Sequence, residues 1–206
     1  MKKNIFFVSL CSIVLIAGCG KQASPDVSQI DWGIISWSVI DHSDFTGAVQ
    51  TILLALKKQD FVTLASFVWP QGLRFSPYEY VNSGTDVVLT TKLVANAPTL
   101  SRSFTWWSYD GSGEPIDLGI GQYFEKFVND ADYANAPEVF YNQNNQRGNT
   151  TNNIAQVYAN KQWVEYYFSG FDAQYEGIDR KSLTLVFDQV NGQWHLIWIV
   201  HGQRTI

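Results

Sequence analysis

Asn191-Gly192 lies between two alternating segments, Ser182 to Val190 and Gln193 to His201. Both residues of this pair tolerate positive φ, so the dipeptide favours a two-residue turn whose twist matches its flanking strands. The sequence therefore predicts a long antiparallel hairpin at the C-terminal end. In Leu183-Thr184-Leu185-Val186-Phe187-Asp188 the odd positions form one apolar face. In the final strand Trp194, Leu196, Trp198 and Val200 share one face, and His195, Ile197, Ile199 and His201 share the other. Such alternation reads as a sheet with one side on the core.

The rest of the C-terminal third also reads as β. Glu138 to Asn142, Ile154 to Tyr158 and Trp163 to Phe171 are expected strands. The polar run Asn142 to Asn149 is a loop. Upstream, Val49, Ile52, Leu53 and Leu56 fall at i, i+3, i+4 and i+7, one face of a helix. Asp44 or Thr46 can cap its start, and Lys57 and Lys58 suit its C-terminal dipole. Asp60 then caps a second helix carrying Phe61, Leu64, Ala65 and Val68, stopped at Trp69-Pro70-Gln71-Gly72. Leu73-Arg74-Phe75 and Val87 to Leu89 read as extended, and Thr90 to Asn96 as a short helix. Phe104 to Tyr109 reads as a strand, closed by Asp110-Gly111-Ser112-Gly113. A third helix runs from about Leu118 to Asn129.

The first residues are of a different kind. Met1-Lys2-Lys3 is basic, and Ile5 to Ile16 is almost wholly apolar. That run is shorter than the ~20 residues a spanning helix needs, and matches a secretory leader. Leu15-Ile16-Ala17-Gly18-Cys19 resembles the signal of bacterial lipoproteins. The resemblance implies that residues 1–18 are removed and that Cys19 becomes the lipidated first residue. The expected partner is then a membrane, reached through that lipid. Gly20 in place of Asp favours an outer-membrane destination in a Gram-negative host, and the outer face of the plasma membrane otherwise. Residues 19–30 are polar and read as a tether; residues 31–206, starting with Trp32 and Trp37, read as a single domain.

Removing 18 of 206 residues leaves 188, with 12 basic and 19 acidic side chains. That acidic balance, without any basic run, excludes a nucleic-acid-binding surface. The leader holds Cys11 and lipidation uses Cys19, so the mature domain has no disulfide, no thiol nucleophile and no thiolate metal site. Its core must rest on its 15% aromatic residues.

The element order, with Asp60-Phe61-Val62-Thr63-Leu64-Ala65 leading into Leu73-Arg74-Phe75-Ser76-Pro77-Tyr78 and then the strands from Phe168 to His201, resembles the nuclear transport factor 2-like superfold. Ketosteroid isomerase and scytalone dehydratase share that fold. The resemblance implies an α+β domain in which helices pack on a strongly curved antiparallel sheet around a cone-shaped pocket. Tyr109-Asp110-Gly111-Ser112-Gly113-Glu114-Pro115-Ile116, with Phe127-Val128, is also similar to a group of uncharacterised bacterial lipoproteins.

Within such a pocket Arg74, Tyr78, Tyr80, Trp106 and Tyr167 are the candidate ligand-lining residues. His201 and Glu165 are the candidate general bases of an isomerase-like or dehydratase-like enzyme. His201 stands at a strand end before the polar tail Gly202 to Ile206, with no orienting partner visible in the sequence. Asp41-His42-Ser43-Asp44 holds triad residue types, but adjacent residues cannot adopt triad geometry, and the segment reads as a helix cap. Asp110-Gly111-Ser112-Gly113-Glu114 alternates oxygen ligands, yet it lacks the length and the distal Glu of a calcium loop. No metal and no cofactor is expected. The favoured expectation is a non-enzymatic, surface-tethered module that binds a ligand or a protein through an apolar pocket. A pocket enzyme and a carbohydrate-binding surface protein are the alternatives.

Overall fold

The computed structural model describes residues 41–148 and 150–204. The expectations for the leader, Cys19, the tether, Trp32 and Trp37 lie outside these residues. Among the described residues no helix is long and apolar enough to cross a membrane.

The chain opens with α1 (Phe45–Lys58) and α2 (Phe61–Ser66). Asp44 caps α1 by accepting from the Thr46 and Gly47 amides, and Asp60 caps α2 by accepting from that of Thr63. Gln59 takes the left-handed conformation that ends α1. β1 (Leu73–Ser76), β2 (Val87–Leu89) and α3 (Thr91–Ala95) follow. Next come β3 (Ser103–Ser108), β4 (Pro115–Gly119) and α4 (Ile120–Phe127). The last part holds β5 (Glu138–Tyr141), α5 (Ile154–Val157), β6 (Gln162–Phe168), β7 (Lys181–Val190) and β8 (Gln193–Gln203).

The expected cone-shaped, strongly curved antiparallel sheet is not what forms. Six strands make an open mixed sheet in the order β2-β1-β8-β7-β6-β5, while β3 and β4 form a separate two-stranded sheet. The mixed character comes from β1 lying parallel to β8, with Arg74 opposite Trp198 and Ser76 opposite Val200. The end of α2 sets this direction. Val68 bridges Leu196 in parallel, the Leu196 amide donates to Phe67 O, and the Trp69 amide donates to Leu196 O. The chain thus reaches β1 already aligned with β8.

The hairpin forms at Asn191 (φ 52°) and Gly192 (φ 78°), but its face pattern differs from the expected one. The ladder pairs Val186 with Trp198 and Phe187 with Leu196, leaving Ile197 as the extra residue of a bulge. A bulge reverses the alternation beyond it. Leu196 and Ile199 therefore join the main core with Leu185 and Phe187, whereas Trp198 and Val200 point to the other side with Val186. Helices α1, α2 and α4 pack on the first side around Ile52, Leu64, Phe75, Trp106 and Phe124. The second side is covered by Val81, Ile154, Tyr158 and Trp163.

Other boundaries move as well. Ile154 to Tyr158 is a helical turn, not a strand. Ile154, Val157 and Tyr158 sit at i, i+3 and i+4, and the Asn152 side chain accepts from the Ile154 amide at 3.0 Å. The helix expected from Leu118 begins two residues later, because Pro115–Gly119 pairs with β3. The second helix ends at Ser66, so Val68 belongs to the bridge to β8.

Candidate functional site

The tip of the β3–β4 hairpin stands opposite the segment that joins β1 to β2. A cleft of about 640 Å³ opens between them. Tyr109, Asp110, Gly111 and Gly113 form one wall with Trp107, and Pro77, Tyr78 and Tyr80 form the other. Thr150 and Thr151 close one side. The sequence dictates the tip. Gly111 (φ 80°) and Gly113 (φ 72°) supply left-handed positions, and the Tyr109 amide donates to Glu114 O at 2.7 Å. The Asp110 amide donates to Tyr78 Oη at 3.0 Å, tying the two walls together. Burial pushes the Tyr78 phenol above its ordinary pKa, so it stays protonated. Tyr80 is 49% exposed and stands free at the rim.

The five sequence-predicted pocket residues do not converge here. Tyr78 and Tyr80 line the cleft. Trp106 is buried in the core, stacked on Tyr123 at 3.8 Å with its Nε1 donating to Leu118 O. Arg74 lies over the Trp198 ring at 4.4 Å and donates to Ser83 O, at a different surface hollow. Tyr167 is covered by Arg147, whose Cζ is 3.6 Å from its ring centroid.

Neither candidate base lines the cleft. His201 is not a surface residue at a frayed strand end: it is 1% exposed, and β8 continues to Gln203. It also has the orienting partner that the sequence hid. Its Nδ1 is 3.0 Å from Pro77 O, and its Nε2 is 3.1 Å from Asp130 Oδ2. A carbonyl and a carboxylate only accept, so both contacts are hydrogen bonds only when the ring is an imidazolium. Asp130 also takes the Lys181 ammonium at 2.6 Å and the Tyr133 hydroxyl at 2.8 Å. Burial alone would raise the Asp130 pKa; the hydrogen bonds and charges of His201 and Lys181 outweigh it and bring it to about 2.

Glu165 is buried in a second ionic cluster. It accepts both guanidinium nitrogens of Arg147 and, at 3.1 Å, the Asn145 amide. Glu79, 4% exposed, belongs to the same cluster and was not anticipated from the sequence. Burial first, and the Glu165 charge second, push its pKa up to about 7, with Arg180 and Arg147 offsetting part of the rise. Its Oε2 has no hydrogen-bond partner. It lies against Gly202, where an added Cβ would come within 2.6 Å of Glu79 Oε1. Arg180 donates to Arg147 O and to Thr150 Oγ1, each at 3.2 Å, which links this cluster to the closed side of the cleft.

At Asp41-His42-Ser43-Asp44 the structure shows a capping turn: Asp41 accepts from the Ser43 amide and hydroxyl, and Asp44 caps α1. Among the described residues no three His, Cys, Asp or Glu side chains are grouped to hold a metal. Trp107, Thr150 and Thr151 were missed as cleft residues. The hairpin tip was legible as a turn, but not that it would face Pro77 to Tyr80.

No family model matches the chain. No curated protein matches it either. Among solved structures it is similar to a DUF4783 family protein from Bacteroides ovatus, at 8% identity and a TM-score of 0.35, over 76% of this chain and 94% of that one. A likeness that weak carries no inference about function.

Proposed function

We propose that the chain is a lipid-anchored, extracytoplasmic binding module, and that its ligand site is the cleft between the β3–β4 tip and Pro77 to Tyr80. The observation that carries this reading is the cleft itself. Four aromatic rings, Tyr78, Tyr80, Trp107 and Tyr109, surround about 640 Å³ of space, within the range that small-molecule sites occupy. Binding without turnover is the favoured reading because neither candidate base lines the cleft. His201 is held on both ring nitrogens, and Glu165 is clasped by Arg147. The anchor rests on Ala17-Gly18-Cys19.

Both halves are testable. A thermal-shift screen of small apolar, cationic and saccharide ligands should yield binders, because a ligand at 100 times its Kd adds about 2.7 kcal/mol of stability. Their shift should vanish in Tyr80→Ala, whose unliganded unfolding should change little because Tyr80 is exposed, and in Trp107→Ala, which should also unfold more easily without ligand because Trp107 packs on the core. A binder indifferent to both substitutions would place the site elsewhere. For the anchor, mass spectrometry of the mature N-terminus should find an acylated Cys19. A Cys19→Ala protein that still partitions fully into membranes would disprove lipid anchoring at that residue.

A further inference from the structure

We infer that the cleft selects a small organic cation, a ligand carrying an alkylated ammonium group. This deepens the binding-module reading and rests on it. The walls carry the aromatic side chains of Tyr78, Tyr80, Trp107 and Tyr109. None of the described lining residues is Lys, Arg or His. An aromatic face carries a negative quadrupole and attracts a cation placed over it, most strongly when water is excluded. The fold already uses this attraction at the edge of the cleft: the Lys126 ammonium lies 4.3 Å from the Tyr109 ring centroid and donates to its hydroxyl at 2.8 Å. That leaves Tyr78, Tyr80 and Trp107 for a ligand.

The remaining lining argues against the other ligand classes. A saccharide needs several directional partners for its hydroxyls, whereas this cleft offers the hydroxyls of Ser108, Thr150 and Thr151 beside rings and glycines. An alkylated ammonium group is nearly spherical and asks for no directional hydrogen bond. A purely apolar ligand would gain nothing from the acidic balance of the chain, −5 over its full length. That balance favours approach of a cation.

Isothermal titration of the full-length protein with choline, with its neutral carbon isostere dimethylbutanol, and with maltose tests the inference. Choline should bind roughly tenfold or more tighter than dimethylbutanol, the scale of one well-placed cation–π contact. Tyr80→Leu and Trp107→Leu should each remove most of that preference, and Tyr80→Phe should retain it, because the ring and not the hydroxyl carries the attraction. Raising the salt concentration should weaken choline and leave dimethylbutanol unchanged. Equal affinity for choline and dimethylbutanol, or binding of maltose alone, would overturn the cation inference while leaving a ligand-binding cleft in place. No heat from any of the three, with no binder in the thermal-shift screen, would overturn the binding-module reading itself.

Discussion

Asp130→Asn should lower the stability of the protein by about 3–5 kcal/mol at pH 5, the usual result of removing one partner from a buried ion pair. The Asp130 carboxylate holds three groups at once: His201 Nε2, the Lys181 ammonium and the Tyr133 hydroxyl. Asparagine keeps the shape but removes the charge that these donors share, and it sets an amide where the buried carboxylate faces the Lys181 ammonium. Urea unfolding of the variant beside wild type would show the loss. An Asp130→Asn protein as stable as wild type would mean that the cluster adds nothing net to the fold. The wild-type carboxylate adds an acid limb. A folded pKa near 2 against an ordinary 3.8 gives stability that is complete above about pH 4. It is lost as pH falls toward 2, by about 2 kcal/mol.

How much of this was legible in the sequence depends on the distance over which each feature is determined. The caps at Asp44 and Asp60, the α1 face and the Asn191-Gly192 turn are set within a few residues, and all of them form as read. The parallel pairing of β1 with β8 joins residues more than 120 positions apart, such as Arg74 and Trp198, and no local pattern encodes it. Without it the sheet reads as wholly antiparallel, while the cone was implied by the resemblance of the element order. The bulge at Ile197 is a second example. Trp194, Leu196, Trp198 and Val200 alternate without a break in the sequence, and only the partner strand decides that the register slips between Val186 and Phe187. Ile154 to Tyr158 failed for another reason: four apolar residues in five fit a strand and a helical turn equally well.

The site follows the same division. Tyr78 and Tyr80 were picked out as candidate ligand-lining residues, and both line the cleft. Trp106 and Trp107 are neighbours in β3, and strand alternation sends one into the core and the other into the cleft. The sequence shows the pair without saying which is which. Glu79 carried no signal at all, because its environment is assembled from β6, β7, β8 and the loop holding Arg147.

Glu79 gives the other large expected effect. Its folded pKa of about 7 lies above the ordinary 4.5, so the folded state binds a proton that the unfolded chain would release. The stability associated with that proton is complete below about pH 4.5 and is lost as pH rises through 7. At about 1.4 kcal/mol per unit, roughly 3 kcal/mol separates the two limits. Asp86 acts in the same direction. Burial raises it from 3.8 to about 6 despite hydrogen bonds from Ser76 Oγ and the Asn82 amide. Glu79 and Asp86 thus tilt stability toward lower pH between about pH 4 and 7, against the opposite slope of His42, whose pKa burial lowers. Glu79→Gln keeps the shape and removes the charge. It should therefore stabilise the protein by about 3 kcal/mol at pH 8.5 and by less than about 1 kcal/mol at pH 4.5. Chemical denaturation across that range measures both limits. A Glu79→Gln protein less stable than wild type at pH 8.5 would show that the ionised carboxylate pairs productively with Arg180 and Arg147 and that burial does not dominate its energetics.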